Sequence, residues 1–134
     1  MDPAAVQILK KTTDYLGSLQ QFSVDTLNIL EEVLDSGQKI QASVAAKVVL
    51  QRPNKLRAER KGDLVSQVDY YDGKTLTIFN PADNYYAVAP APDNIEDALH
   101  FARDALDIVP PSGDLIYRNA FDLLTTRLAS GVVV

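Results

Sequence analysis

Residues 38–52 alternate. Even positions carry Ile40, Ala42, Val44, Ala46, Val48 and Leu50, while odd positions carry Lys39, Gln41, Ser43, Ala45, Lys47, Val49 and Gln51. A period of two over more than a dozen residues predicts one long strand with an apolar face and a wetter face. Ordinary strands hold about 5–6 residues. The preceding segment, 22–33, also reads as a strand. Its apolar parity shifts from Phe22 and Val24 to Leu27 and Ile29, which predicts a bulge near Thr26. Asp35-Ser36-Gly37 supplies the hairpin turn between the two. Arg52-Pro53-Asn54 ends the long strand, because proline cannot donate to the ladder. Strands follow over 56–61, 65–71, 75–79 and 85–89. They are separated by Gly62-Asp63, Asp72-Gly73 and the turn residues of 80–84, and closed by Pro90 and Pro92. Six strands joined by tight turns make an antiparallel meander, and a bulge would curve it.

The ends of the chain follow a helical period instead. Asp2-Pro3 reads as N-cap and first residue of a helix, whose stripe is Val6, Leu9, Thr13 and Leu16, with Gly17 as its stop. After the strands, Asp93 and Glu96 form a D-x-x-E capping pattern, and Ile95, Leu99, Ala102, Leu106 and Val109 form the stripe. Pro110-Pro111-Ser112-Gly113 breaks that helix, and 114–128 reads as one or two more. Ser130-Gly131 stops them, and Val132 to Val134 reads as the start of another strand. The fold class is therefore α+β, a curved antiparallel sheet forming an incomplete, unclosed barrel with helices on its concave side. The 134 residues are read as a single domain.

Composition narrows the partners. The chain is 46% hydrophobic and 23% charged, the balance of a globular protein able to bury a core. It has no cysteine, which removes disulfides and thiolate metal sites. A net charge of −5 argues against nucleic acid. No run of about 18 apolar residues is present to span a membrane as a helix, and no basic-then-apolar leader opens the chain.

No residue cluster announces chemistry. His100 is the only histidine and cannot build a metal site alone. Asp93, Glu96 and Asp97 stand at a helix start, where capping and the macrodipole explain acids better than acid–base catalysis does. No G-x-S-x-G, phosphate loop or dinucleotide fingerprint appears, so no cofactor is expected and an enzyme is disfavoured. Arg52, Lys55, Arg57, Arg60 and Lys61 make a basic patch, with alternation placing Lys55, Arg57, Glu59 and Lys61 on one face. A solvated face explains the patch; contact with lipid head groups or an acidic partner is its functional alternative. The pairs Tyr70-Tyr71 and Tyr85-Tyr86 each put one ring on each face, for cross-strand packing or for lining a pocket. If even positions face inward throughout, the hollow is lined by Val24, Ile40, Val44, Val48, Leu50, Leu56, Val68, Tyr70, Leu76, Ile78, Tyr86 and Val88. Burial of apolar area gains about 25 cal/mol per Å², so any uncovered remainder should attract a ligand or partner.

The runs Arg52-Pro-Asn-Lys-Leu-Arg-Ala-Glu-Arg60, Tyr71-Asp-Gly-Lys-Thr-Leu-Thr-Ile-Phe-Asn-Pro81 and Tyr85-Tyr-Ala-Val-Ala-Pro90 resemble a family of predicted bacterial periplasmic proteins of unknown function (DUF2092-like). The opening helix and Asp35-Ser-Gly-Gln-Lys39 are similar too. The resemblance implies a periplasmic location and kinship with the lipoprotein-carrier fold of the Lol system and with the periplasmic regulator of the envelope-stress anti-sigma factor. That architecture is an unclosed antiparallel barrel plugged by helices. Members continue past the point corresponding to Val134 with further strands. The chain is therefore read as a truncated domain, or as one completed by a second copy through a strand edge or exchanged segment. The expected function is non-enzymatic binding of a lipid or lipoprotein acyl chain in the half-barrel. The alternative is a sensor or interaction module that docks a partner protein on the sheet.

Overall fold

The computed structural model describes residues 2–109, 112–126 and 128–133. Its elements are α1 (Pro3–Ser18), β1 (Gln21–Val33), β2 (Lys39–Gln51), β3 (Lys55–Gly62), β4 (Ser66–Tyr71), β5 (Thr75–Asn80), β6 (Tyr85–Pro90), α2 (Ile95–Leu106), α3 (Gly113–Ile116) and α4 (Ala120–Thr125). Six antiparallel strands in the order β1 to β6 form an open, curved sheet that does not close into a barrel. With four helices among the described residues, the fold is α+β. The chain divides into two compact units. One contains α1, α3 and α4, and the other contains the sheet and α2.

In the helical unit, the Asp2 side chain caps α1 by accepting from the Ala4 amide at 2.8 Å, with Pro3 in the first turn. Gly17 lets α1 approach the backbone of Arg118, whose carbonyl oxygen would lie 3.0 Å from an added Cβ. The segment read as one or two helices is two, α3 and α4. Val132 and Val133 are not in a strand, and Val134 lies outside the described residues, as do Pro110 and Pro111 of the expected helix break.

In the sheet unit, β1 and β2 pair in unbroken register from Gln21↔Gln51 to Val33↔Lys39. The expected bulge near Thr26 is absent. The parity shift places Leu27 and Ile29 on the outer face instead, 68% and 56% exposed. β3 follows β2 only from Gln51↔Lys55 to Val44↔Gly62. Gly62 permits this close end, since a Cβ there would fall 2.2 Å from the Ser43 carbonyl oxygen. Asp63 then closes the contact by accepting from the Ser43 amide at 3.0 Å.

Parity is the main correction. Partners in β1–β2 and β2–β3 share parity, as in Val24↔Val48 and Val48↔Ala58. Each later hairpin pairs odd with even: Ala58↔Asp69, Asp69↔Ile78, Ile78↔Ala87. One face therefore carries even residues in β1–β3 and β5 but odd residues in β4 and β6. Three rows cross it. The first is Phe22, Leu50, Leu56, Tyr71, Leu76 and Ala89; the second is Val24, Val48, Ala58, Asp69, Ile78 and Ala87; the third begins Thr26, Ala46, Arg60 and Gln67. Val68, Tyr70, Tyr86 and Val88, expected to face the hollow, lie on the opposite side.

Helix α2 packs over the first row. Its N-cap is Asn94, whose side chain accepts from the Asp97 amide at 2.9 Å, one residue later than the D-x-x-E reading. Asp107, in the left-handed region at φ 54°, ends it. Ile95, Ala98, Leu99 and Ala102 face Leu56, Tyr71 and Leu76 across a void of about 20 Å³. The Ile95 amide donates to the Pro53 carbonyl at 2.9 Å, and the Tyr71 hydroxyl donates to the Pro92 carbonyl. These bonds tie the helix start to the β2–β3 turn and to the end of β4.

Candidate functional site

The residues read from sequence as a cavity lining divide into three groups. Val48, Leu56 and Leu76 are buried on the α2 face, with Val24, Ile40, Val44 and Ile78 half-buried on the same face. Val68 is buried on the outer face, opposite Glu59 and Phe79. Tyr70, Tyr86 and Val88 are exposed there. The even-numbered series therefore does not line one hollow. The inward ring of the first tyrosine pair is Tyr71, and burial pushes its hydroxyl up to about 12, with the carboxylates of Asp93 and Asp72 adding to the effect. The ordinary value is 10.0.

The first row ends in a surface groove of about 560 Å³. Gln21, Phe22 and Ser23 of β1, Val49, Leu50 and Gln51 of β2, Lys55, Leu56 and Arg57 of β3, and Tyr71 of β4 line it. Its apolar members come from the α2 face, apart from Val49, and its two cations from the outer face. That volume falls within the range of about 300–1,000 Å³ typical of small-molecule sites. Lys55 Nζ donates to the Asp72 carbonyl at 2.7 Å. Arg57 Nη2 donates to Glu59 Oε2 at 2.9 Å, and its guanidinium lies 5.5 Å from the Tyr70 ring centroid. The Glu59 hydrogen bond, followed by Tyr70, holds the Arg57 guanidinium above its ordinary value.

The basic patch splits in the same way. Lys55, Arg57 and Lys61 share the outer face with Glu59, as alternation predicts. Arg52 and Arg60 do not join them. The Arg52 side chain is 1% exposed, with Nη1 3.4 Å from Glu96 Oε1 and its guanidinium 5.9 Å from the Phe22 ring centroid. Proline at the next position ends the strand, and Arg52 turns inward to meet α2. Arg60 lies in the third row of the α2 face, and its Nη1 reaches the Val109 carbonyl at 3.5 Å. Arg60 Nε and Thr26 Oγ1 are both buried without a hydrogen-bond partner among the described residues.

The remaining candidates are local. His100 Nδ1 is 2.9 Å from Arg103 Nη2 on exposed turns of α2. Asp97 completes the helix cap, and Glu96 meets Arg52. Among the described residues no group of three His, Cys, Asp or Glu comes together. Asp69 is 4% exposed, and burial pushes its carboxyl up, opposed by the Gln67 hydrogen bond and by Arg60. Sequence reading missed Phe22, Val49 and Tyr71 as groove residues. The signal was available for Phe22, which shares the parity of Val24. Tyr71 required knowing that the β3–β4 hairpin changes parity.

A family profile described as "Predicted periplasmic protein (DUF2092)" matches residues 5–134. No curated protein matches the chain. Among the described residues no helix is long and apolar enough to cross a membrane.

Proposed function

The chain belongs to the DUF2092 family of predicted periplasmic proteins, whose function is unknown, and from that premise we propose that it is a non-enzymatic binding module for an apolar ligand with an anionic head. The ligand class is a lipid or a lipoprotein acyl chain, and the fold is a relative of the lipoprotein-carrier half-barrel. The observation that carries this reading is the groove of about 560 Å³ with Phe22, Leu50, Leu56 and Tyr71 along it and Lys55 and Arg57 at its rim. Apolar burial supplies the affinity, and the cations select the head. The void of about 20 Å³ beneath α2 is too small for an acyl chain. In this proposal the guest lies in the groove, or α2 lifts from the first row to lengthen it.

Native mass spectrometry of the purified protein followed by solvent extraction tests the reading. Co-purifying lipid, and saturable uptake of cis-parinaric acid that falls at least tenfold in Phe22→Glu, are the expected results. Uptake of the free acid should exceed that of its methyl ester, and Lys55→Glu with Arg57→Glu should erase the difference. Absence of both bound lipid and probe uptake overturns it.

A further inference from the structure

The β1–β2 hairpin outruns every strand beside it. Both its strands are 13 residues long, whereas β3 has 8 and reaches β2 only as far as Val44. Beyond Ser43 the hairpin continues as a two-stranded ribbon, a structure that is marginal in water without a third strand or a packing surface. Three of its large apolar side chains are uncovered: Ile29 is 56%, Leu30 63% and Val33 63% exposed, as is Leu27 at its base, 68% exposed. The register puts Leu27, Ile29 and Val33 on the outer face and Leu30 on the other, so the ribbon has no wholly polar side.

β1 is also one of the two edge strands of the sheet, β6 being the other. Natural edges are usually blunted by charged side chains, lysine above all, by proline or by a bulge. β1 contains neither lysine nor proline, and its pairing with β2 is unbroken. Charge then selects what can lie against it. From residue 12 to 38 the chain has no Lys or Arg but carries Asp14, Asp25, Glu31, Glu32 and Asp35. On β2, Lys47 stands across from Asp25, and Lys39 lies beside Glu31. Glu32 stands across from Ile40, and its side of the ribbon carries no cation. Two copies of β1 laid edge to edge would gather Asp25, Glu31 and Glu32 from both chains into a strand pair with no cation of its own. Like charges facing across a sheet destabilise it. We propose that the free β1 edge at residues 27–33 accepts an extended protein segment of alternating apolar and basic side chains as a seventh strand. Main-chain hydrogen bonds give such an addition its affinity, and side-chain pairing gives it its selectivity.

Fluorescein-labelled nine-residue peptides of alternating Val–Lys and Val–Glu test this, by anisotropy and by ¹⁵N amide shifts. Val–Lys should bind at least tenfold more tightly than Val–Glu and should shift amides of residues 22–33. A Val–Lys peptide N-methylated at alternate residues should lose the binding. Glu31→Lys with Glu32→Lys should reverse the peptide preference, while Asp104→Lys on α2 should leave it unchanged. Equal binding of the two charged peptides overturns the proposal, as does retained binding of the methylated one. So do shifts that map to β6 or the helices, or a β1-linked dimer formed without peptide.

Discussion

β2 keeps one alternating pattern along its length, yet the two ends of the β1–β2 hairpin meet different fates. At the end near Leu50, the strands continue into β3 and β4, and α2 packs on Leu56 and Tyr71 beside them. Leu50 and Val48 are 2% and 0% exposed, and the void under the helix is about 20 Å³. At the end near Leu30, the strands leave β3 behind, and Ile29, Leu30 and Val33 of β1 face water. Alternation therefore specifies a strand and its two faces, but not whether anything covers them. Coverage depends on where the neighbouring strands stop, which here is a matter of Gly62 and Asp63.

The largest contrast should come from placing the same charge at the two ends. Val48→Asp buries a carboxylate without a partner and should cost on the order of 4 kcal/mol or more, enough to unfold the protein. Ile29→Asp, at a position already 56% exposed, should shift stability by less than about 1 kcal/mol. Urea denaturation followed by circular dichroism measures both. Similar losses for the two variants would break the distinction between a covered and an uncovered end.

The boundary itself can be moved. Gly62→Ala drives a Cβ to 2.2 Å from the Ser43 carbonyl oxygen, a backbone contact that cannot rotate away. The pairing Val44↔Gly62 must open, at about 2 kcal/mol by the usual cost of overpacking. Hydrogen exchange should then speed up at Ser43 and Val44 and stay unchanged at Val48 and Leu50. Uniform acceleration along β2 would mean that β3 does not define where the ribbon starts.

Much of this was legible in the chain. All six strands were readable to within about two residues, because alternation and turn chemistry agree at Asp35-Ser36-Gly37 and Asp72-Gly73. The faces of β2, β3 and the first half of β1 were readable for the same reason, whereas the bulge expected near Thr26 misassigned Leu27 and Ile29. The faces of β4 and β6 were not, because the number of residues in a turn sets parity and the sequence does not state which turn residues pair. Val68, Tyr70, Tyr86 and Val88 were misplaced by that step alone. Arg52 was misread because a cation beside proline and before a basic strand resembles its neighbours, while its burial against Phe22 and Glu96 is a tertiary fact. The groove was partly visible, in Leu50, Leu56, Lys55 and Arg57.

At the covered end, smaller polar contacts hold α2 in place. Tyr71→Phe removes the hydrogen bond to the Pro92 carbonyl and should cost about 1 kcal/mol. It should also change the alkaline limb of stability. Below pH 10 both the folded and unfolded chains keep the Tyr71 proton. Between 10 and about 12 the unfolded chain releases it while the folded chain holds it, so stability falls as pH rises through that window. Denaturation midpoints from pH 8 to 11.5 should decline less steeply in Tyr71→Phe. Equal slopes would place the phenol in water.

The subtlest test concerns the one ionisable side chain in the second row. Asp69 shares that row with Val24, Val48 and Ala58, accepts from Gln67 Nε2 at 2.6 Å, and is 4% exposed. Burial raises its carboxyl above the ordinary 3.8, so across that interval the folded chain holds a proton that the unfolded chain has released. Stability from this group is therefore complete below 3.8 and is lost as pH rises through the raised value. Asp69→Asn keeps an acceptor for Gln67 and removes the charge. It should stabilise the protein at pH 7, and that gain should vanish below pH 3.8. A loss at pH 7 would mean that Arg60 and Gln67 more than offset the burial. The covered end would then be built around a charge, and its contrast with the acidic ribbon would rest on pairing rather than on dryness.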